Sequence, residues 1–196
     1  MTDLKDLLVF GAVAVVTWLL VTYLWPRLLM YVYKRAILVK GFGEGPIPVN
    51  TFYTEPQKLF AEPLASQTAS SSNLMTVGVN HDTLATVAWL DLSRGPLILQ
   101  VPDMAGRYYS VQFTDPSKNT NFAYIGSRTT GTRAGDYVIT GAMWRGAVPS
   151  GVTRISSPSN SVLVLGRVLV NNDSDVPIAY GLAKQIRLTP LPSTIL

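Results

Sequence analysis

The sequence predicts a mainly β protein: an antiparallel β-sandwich or barrel-like domain with an N-terminal transmembrane helix and a short C-terminal helix. Three observations predict this class. An apolar run stands near the N-terminus, short alternating or apolar runs separated by glycine and proline fill the second half, and a helix-like pattern closes the sequence. The 196 residues suffice for one membrane segment and one compact domain.

The composition excludes several classes of function. Lysine and arginine outnumber the acidic residues 16 to 12, and four of these cations fall between Arg27 and Lys40. This placement indicates membrane headgroups, and nucleic acid is not an expected partner because no RNA-binding motif or basic recognition helix is present. Without cysteine there are no disulfides, thiolate catalysis or cysteine-ligated metals. One histidine and scattered aspartates form no metal-binding pattern, so we expect neither metal nor cofactor.

The run LLVFGAVAVVTWLLVTYLW, residues 7–25, predicts a single-pass transmembrane helix within an anchor of residues 1–26. It carries no charge and has close to the length that crosses a bilayer core. Trp25 stands where aromatic rings favour the interface, and Pro26 is expected to break or bend the chain. The alternative is a cleavable signal peptide. No small-residue cleavage site follows the run, so a retained signal anchor is favoured.

Residues 27–48 are expected to form a basic juxtamembrane segment and connector. The part RLLMYVYKRAILVK is interpreted either as an amphipathic helix on the membrane surface or as the first buried helix of the globular domain. Cations after the span outnumber those before it. Taken alone, the positive-inside rule therefore places the following domain in the cytoplasm.

Residues 49–196 are expected to form the β-rich domain, with a serine-rich surface loop or lid at residues 61–76. Seven runs predict strands: TLATVAWLDL, PLILQVP, RYYSVQF, FAYIGS, DYVIT, VTRIS and SVLVLGRVLV. In RYYSVQF, the alternation places Tyr109, Val111 and Phe113 on one face, so this strand should be half buried.

The last strand and the closing helix give further expectations. SVLVLGRVLV is apolar at nearly every position, so it should be central in its sheet, with Gly166 marking a bulge or a close backbone approach. In the closing SDVPIAYGLAKQI, Asp175 is the expected N-cap. Ile178, Leu182 and Ile186 are expected to line one face of the helix.

Five stretches together carry a resemblance: NHDTLATVAWLDLSRGP, VPDMAGRYYSVQFTD, NFAYIGSRTTGTRAGDYVI, VPSGVTRISSPSNSVLVLGR and LTPL. In order and spacing they resemble the bacterial family called domain of unknown function 1254. The resemblance implies a β-rich unit that is commonly followed on the same chain by a second domain, domain of unknown function 1214. Because this sequence ends at LTPLPSTIL, the resemblance implies that the membrane-anchored domain pairs with a separately encoded second domain.

The same resemblance implies a location. Many relatives carry export signals, so we expect a single-pass protein of the bacterial inner membrane whose soluble domain is periplasmic. The basic flank that follows the helix argues for the opposite orientation.

The polar stretch Asn80, His81 and Asp82 stands at the mouth of the first long strand. Adjacent residues on an extended strand point to opposite faces, so His81 and Asp82 would diverge rather than act as a base and its orienter. We prefer a turn in which the short side chains of Asn80 and Asp82 satisfy backbone N–H groups.

The ligand-binding candidates combine arginines, amides and aromatic rings, which are groups that bind sugars, carboxylates or lipid headgroups. They are Asn80, Asp82, Arg107, Tyr109, Asn121 and Arg128, and the set extends to Trp89, Tyr108 and Tyr124. The competing interpretation is structural, with Arg107 or Arg128 paired with Asp82 or Asp103.

These features predict a membrane-anchored envelope β-domain that acts as a non-enzymatic binding or assembly module. A glycan, a carboxylate or a lipid headgroup is the expected kind of small ligand. The alternative is an envelope hydrolase acting on glycan or lipid, with Asp82 or Asp103 as acid or base and an arginine that stabilises charge.

Overall fold

The computed structural model describes residues 3–41, 45–54 and 82–192. These residues form a helical run, two β-sheets and a short helix near the C-terminus, so the mainly β class is confirmed. Asn80, His81 and the serine-rich stretch at residues 61–76 lie outside the described residues.

The helical run spans Leu4–Lys40, 37 residues, and is long and apolar enough to cross a membrane by length and composition. It consists of two α-helices, each followed by a π-helical stretch. These are α1 (Leu4–Leu19), the π-helical Leu20–Leu24, α2 (Trp25–Arg35) and the π-helical Ala36–Lys40. No residue of α1 is buried against the rest of the chain.

Of the break or bend expected at Pro26, the break does not occur, because the helical run continues to Lys40. Pro26 lies in the first turn of α2, where its missing N–H is tolerated, and the preceding turn is widened to π geometry. Arg27 donates a side-chain hydrogen bond of 2.8 Å to the carbonyl oxygen of Tyr23. The run ends at Gly41, whose φ of +52° is the left-handed conformation that commonly closes helices.

Two sheets pack face to face. The strands are β1 (Tyr53–Thr54), β2 (Thr83–Asp91), β3 (Leu97–Val101), β4 (Tyr109–Asp115), β5 (Thr120–Gly126), β6 (Gly135–Thr140), β7 (Thr153–Ser156), β8 (Ser161–Leu169) and β9 (Arg187–Pro190). The first sheet has the strand order β1-β2-β8-β4-β5 and the second the order β7-β6-β3-β9. Neighbouring strands are antiparallel except β6 and β7, which are parallel.

The apolar strand β8 is the centre of the first sheet, as its composition predicts. Gly166 lies opposite Thr86 in a regular register, so the expectation of a bulge at this glycine is wrong. A Cβ atom at position 166 would lie 2.1 Å from the Thr86 hydroxyl oxygen. The glycine therefore makes room for a neighbouring side chain rather than for a second backbone. The register instead shifts between Phe113 and Thr114, where β4 pairs with β5.

The main core lies between the inner faces of the two sheets. Tyr109, Val111 and Phe113 share the inner face of β4, as the alternation predicts, and all three are fully buried. The remaining positions of this core are mostly aliphatic and come from both sheets, including Leu84, Leu90, Leu97, Leu99, Ile125, Ile139, Val162, Val164 and Val168.

A second cluster lies on the outer face of the first sheet, beneath the end of the helical run. Ile37 is fully buried there and belongs to one cluster with Val87, Trp89 and Leu163. Of the two interpretations of the juxtamembrane segment, the structure therefore shows a helix packed on the domain.

The short helix α3 (Val176–Gln185) exists as predicted, but it buries a different face. Val176, Ala179 and Ala183 are its buried residues, whereas Ile178 is 60% exposed. Small alanines allow the helix to approach the sheets closely. Ile178 consequently does not share the buried face with Ile186.

Candidate functional site

The outer face of the first sheet has two halves. We call the first the covered half; it lies under the helical run and consists of Tyr53, Val87, Trp89, Leu163 and Leu165. We call the second the open half; it consists of Ser110, Gln112, Tyr124, Gly126 and Arg167 on β8, β4 and β5. Both halves belong to one continuous sheet, because Leu165 and Arg167 are outward residues of the same strand.

The register explains why the open half is concave. Arg167 lies opposite Ser110, and Ser110 lies opposite Gly126. Two small residues therefore stand next to a long one. Only glycine fits at position 126, where φ is +153° and a Cβ atom would lie 2.4 Å from the Tyr109 carbonyl oxygen. The row produces a depression that long side chains border.

We call this depression the outer-face cleft. Its volume is about 470 Å³, within the range of small-molecule sites. Two arginines, the half-buried Tyr108, the exposed Tyr124 and several hydroxyl and amide groups line it. The residues are Tyr108, Ser110, Gln112, Tyr124, Arg128, Thr129 and Arg167.

The cleft is positively charged and aromatic. The Arg128 guanidinium lies 5.4 Å from the centre of the Tyr108 ring, a cation–π distance that holds it over the cleft. Tyr124 is 50% exposed. In the described part of the chain, neither Arg128 nor Arg167 forms a salt bridge with a carboxylate. The arrangement can bind an anion with the guanidinium groups and a ring with the tyrosines.

Arg107 does not belong to the cleft, although the sequence makes it a ligand candidate. Its guanidinium forms a bidentate ion pair with the Asp175 carboxylate, in which Nη2 lies 2.7 Å from Oδ1 and Nη1 donates to Oδ2. Nη1 also donates a hydrogen bond to the Leu169 carbonyl oxygen. The prediction that Arg107 pairs with Asp82 or Asp103 is therefore wrong. The partner could not be recognised in the sequence because it lies 68 positions away.

Asp175 stands at the N-cap position of α3, as predicted, but its side chain makes no capping hydrogen bond to that helix. Its carboxylate also accepts a hydrogen bond of 2.9 Å from the Asn171 backbone N–H, and Asn172 caps the preceding turn instead. The hydrogen bonds from Arg107, followed by the one from Asn171, lower the pKa of Asp175 from 3.8 to about 2. The pair ties the end of β8 and the start of α3 to the segment before β4.

Tyr109 is the second candidate that the structure corrects. It borders the cleft, but its side chain lies on the inner face with Val111 and the residue is fully buried. Burial raises the pKa of its hydroxyl group. Tyr109 is therefore a core residue.

The remaining candidates are dispersed. Asn121 lies beside the cleft on β5, where its side-chain oxygen accepts hydrogen bonds from Thr114 and Gln112. Asp82 is exposed at the start of β2 and does not line the cleft. Trp89 lies in the covered half, 2% exposed, and donates a hydrogen bond of 2.8 Å to the Ser161 hydroxyl. Of the candidates, Arg128, Tyr108 and Tyr124 have side chains that line the cleft.

Arg167, Ser110 and Gln112 are cleft residues that the sequence interpretation missed. A signal for Arg167 exists: it is the one charged residue in the run SVLVLGRVLV, and a charge in a central strand has to lie on an outward face. Its partners across the sheet become known only from the register of β4 and β8.

The fold and the cleft define a class: a helix-linked β-sandwich with a basic cleft on the outer face of one sheet. The chain belongs to the family described as Protein of unknown function (DUF1254), whose model matches residues 62–190.

Solved structures similar to this chain include two from bacteria. The VPA0106 protein from Vibrio parahaemolyticus is 27% identical with a TM-score of 0.62, over 86% of this chain and 36% of that one. An uncharacterised protein from Burkholderia cenocepacia is 15% identical with a TM-score of 0.38, over 76% of this chain and 36% of that one. The matches therefore span about a third of the length of each solved chain. No curated protein matches the chain.

Proposed function

We propose that this protein is a membrane-anchored, non-enzymatic assembly module, whose outer-face cleft binds an acidic group of a second domain carried by a separate chain. The main support for the proposal is the positive charge of the open half. Two guanidinium groups, Arg128 and Arg167, lie in a cleft of about 470 Å³ that no carboxylate lines in the described part of the chain. Unpaired guanidinium groups in a concave site favour an anionic partner.

The length of the related structures supports the choice of partner. The match covers only 36% of the Vibrio chain, so most of that protein is chain outside the matched domain. In the Vibrio protein, the matched domain is joined covalently to this additional chain. Where the two parts are encoded separately, the same two domains can associate as partners without a linker. We therefore propose that the second domain corresponds to that additional part.

The anchor is proposed at residues 7–25, which comprise most of α1, the π-helical stretch that follows it and the first residue of α2. These residues are exposed and apolar, and a helix of this composition matches a bilayer core. We propose a single pass through the bacterial inner membrane with the β-sandwich in the periplasm. Two of the cations after the span have partners in the fold, since Arg27 bonds the Tyr23 carbonyl and Lys34 lies 5.3 Å from the centre of the Trp89 ring. These two cations therefore contact the folded chain in addition to lying next to the proposed span.

The hydrolase alternative has less support in the described residues. Asp103 is exposed, and its carboxylate accepts a hydrogen bond of 2.7 Å from the Ala105 backbone N–H within its own turn. Neither Asp103 nor Asp82 lines the cleft. An acid or base would have to reach a substrate that the arginines hold, and these two carboxylates do not share that site.

The experiment is purification of the full-length protein from native membranes in mild detergent, followed by mass spectrometry of the polypeptides and lipids that accompany it. We expect stoichiometric recovery of a polypeptide that resembles the additional part of the Vibrio chain. The double variant Arg128→Gln/Arg167→Gln should lose this polypeptide. The matched control is Arg187→Gln, an exposed arginine on the second sheet, which should retain it.

Two results would contradict the proposal. Retention of the partner by the double variant would show that the cleft does not bind it. Recovery of the protein alone with a defined glycan or lipid would indicate a small-ligand site in place of an assembly surface.

A further inference from the structure

The helical run is longer than a bilayer core requires. At 1.5 Å per residue, its 37 residues extend about 55 Å, whereas about 30 Å spans the hydrocarbon. With residues 7–25 in the membrane, α2 and the last π-helical stretch extend about 22 Å beyond it. Tyr33 and Ile37 in this part pack against the first sheet. The β-sandwich is therefore held beside the helix, directly outside the bilayer.

The contacts of the helix also show which end of the sandwich is nearest the bilayer. A cavity of about 260 Å³ is lined by Arg27 and Tyr31 from the helix and by Pro116, Ser117 and Ser161 from the sheet. Arg27 is two residues beyond Trp25, the last residue of the proposed span. The β4–β5 turn, which contains Ser117, thus lies at the level of the headgroups.

Two hydrogen bonds and one close contact place three other connections at the same end. The Ser159 hydroxyl donates to the Asp115 carboxylate over 3.1 Å, which joins the β7–β8 and β4–β5 turns. The Leu92 backbone N–H donates to the Asn160 carbonyl oxygen over 2.8 Å, which adds the β2–β3 turn. Gly141, where the β6–β7 connection begins, packs against Asn160. We call these four connections the anchor-side end.

The chemistry of the anchor-side end suits a layer of anionic headgroups. Arg94, Lys118 and Arg145 are exposed in three of the four connections, and Met143 is 79% exposed in the β6–β7 connection. Cations beside an exposed apolar side chain are typical of surfaces that bind anionic membranes.

The carboxylates at the anchor-side end accept hydrogen bonds from neighbouring residues of the chain. Asp115 is buried and accepts hydrogen bonds from the Ser117 backbone N–H and hydroxyl. The Asp91 carboxylate accepts a hydrogen bond of 2.9 Å from the Ser93 backbone N–H. The hydrogen bonds from Ser93, and to a smaller extent the charges of Lys34 and Arg94, lower the pKa of Asp91. The exposed charges in the four connections are those of Arg94, Lys118 and Arg145, so the exposed charge of this end is positive.

We infer that the anchor-side end is a membrane-contact surface, which lies on anionic lipid headgroups and fixes the height and tilt of the sandwich above the bilayer. The inference rests on the proposed anchor at residues 7–25. It does not depend on the assembly role of the outer-face cleft, which lies toward the opposite end of β4 and β8.

The chain contains no cysteine, so single cysteines can report on this surface without further mutation. Three variants of the full-length protein, Met143→Cys, Ala134→Cys and Val16→Cys, are labelled with a fluorophore and placed in nanodiscs of phosphatidylcholine and phosphatidylglycerol. Met143 tests the anchor-side end. Ala134 is exposed at the other end of β6 and is the matched control. Val16 reports on the helix.

Nitroxide lipids provide the measurement. A headgroup nitroxide should quench Met143→Cys at least about twofold more than Ala134→Cys, and an acyl-chain nitroxide should quench Val16→Cys. Replacing phosphatidylglycerol by phosphatidylcholine, or adding Arg94→Gln, Lys118→Gln and Arg145→Gln, should reduce the quenching of Met143→Cys, since each surface cation contributes to binding of anionic lipid.

The outcomes separate the two proposals. Equal quenching at Met143→Cys and Ala134→Cys, with Val16→Cys quenched, would overturn the contact surface and leave the anchor intact. An unquenched Val16→Cys would overturn the anchor and the inference that rests on it. Quenching of Met143→Cys that does not depend on phosphatidylglycerol would overturn the role of the cations.

Discussion

The outward residues of β8 change from Leu163 and Leu165 to Arg167, and the surroundings of the strand change with them. The two leucines lie under the helical run with Val87 and Ile37. Arg167 instead stands beside Ser110 and is exposed in the outer-face cleft. One sheet face therefore carries a second hydrophobic core and an open polar surface.

The two halves of this face are stabilised by different means. The covered half gains from burial of aliphatic and aromatic surface, at about 25 cal/mol per Å². The open half has little apolar surface to bury, and its shape comes from small residues and a close backbone approach at Gly126. Substitutions should therefore lower stability in the covered half and leave it nearly unchanged at the exposed side chains of the open half. Gly126 is the exception, because any side chain there would strain the backbone.

The largest expected effect is that of Ile37→Ala in the covered half. Removal of a fully buried isoleucine side chain should lower the free energy of unfolding by about 3 kcal/mol, because it leaves a cavity against Val87 and Leu163. Chemical denaturation in detergent, followed by tryptophan fluorescence, measures this. The control is Tyr124→Ala in the open half, which is 50% exposed and should cost less than about 1 kcal/mol. Equal losses would contradict the division of the face.

A smaller effect is expected at the border of the open half, from Asp175→Asn. The substitution leaves the partly buried Arg107 guanidinium without its counter-charge and should lower the free energy of unfolding by about 2 kcal/mol. Asp173→Asn, an exposed aspartate next to the same helix, is the matched control and should change little. If both variants unfold alike, the ion pair does not stabilise the fold.

The same pair gives a dependence on pH with a defined sign. The pKa of Asp175 is lower in the folded protein, about 2, than the ordinary value of 3.8. Its contribution to stability is therefore fully present above about pH 4 and is lost as the pH falls through about 2. Melting temperatures of the wild type and Asp175→Asn should converge as the pH falls through this interval. A constant difference would contradict the assignment.

The smallest effect on stability is expected for Arg128→Gln/Arg167→Gln. Both arginines are exposed and neither has a carboxylate partner in the described part of the chain, so the free energy of unfolding should change by less than about 0.5 kcal/mol. The double variant should thus lose its partner without losing its fold. A large loss of stability would assign the two arginines a structural role.

The sequence predicts seven of the nine strands in the described residues, β2 to β8, because each of these carries a local pattern. The short edge strands β1 and β9 carry no such pattern and were not predicted. SVLVLGRVLV is apolar on both faces, and both faces of β8 are covered over most of its length. The same alternation was sufficient to place Tyr109 in the core, since it shares a face with Val111 and Phe113. The alternation therefore argues against Tyr109 as a ligand-binding residue.

The cleft and the ion pair depend on relations that no local pattern contains. The row Arg167, Ser110 and Gly126 forms only when β8, β4 and β5 adopt one particular register. Arg107 and Asp175 meet because α3 packs beside the end of β8. The choice of buried face on α3 was likewise set by packing, which selected alanines over the larger Ile178.

The most direct test of the binding role is the reactivity of a cysteine at the cleft rim in the purified complex with the second domain. Thr129→Cys lies at the cleft, and Ile178→Cys, on the exposed face of α3, is the control. We expect maleimide to react roughly tenfold more slowly with Thr129→Cys when the partner is bound, because an interface excludes water and reagent, and equally fast with Ile178→Cys. An unchanged rate at Thr129→Cys in a complex that has formed would contradict the binding role of the cleft.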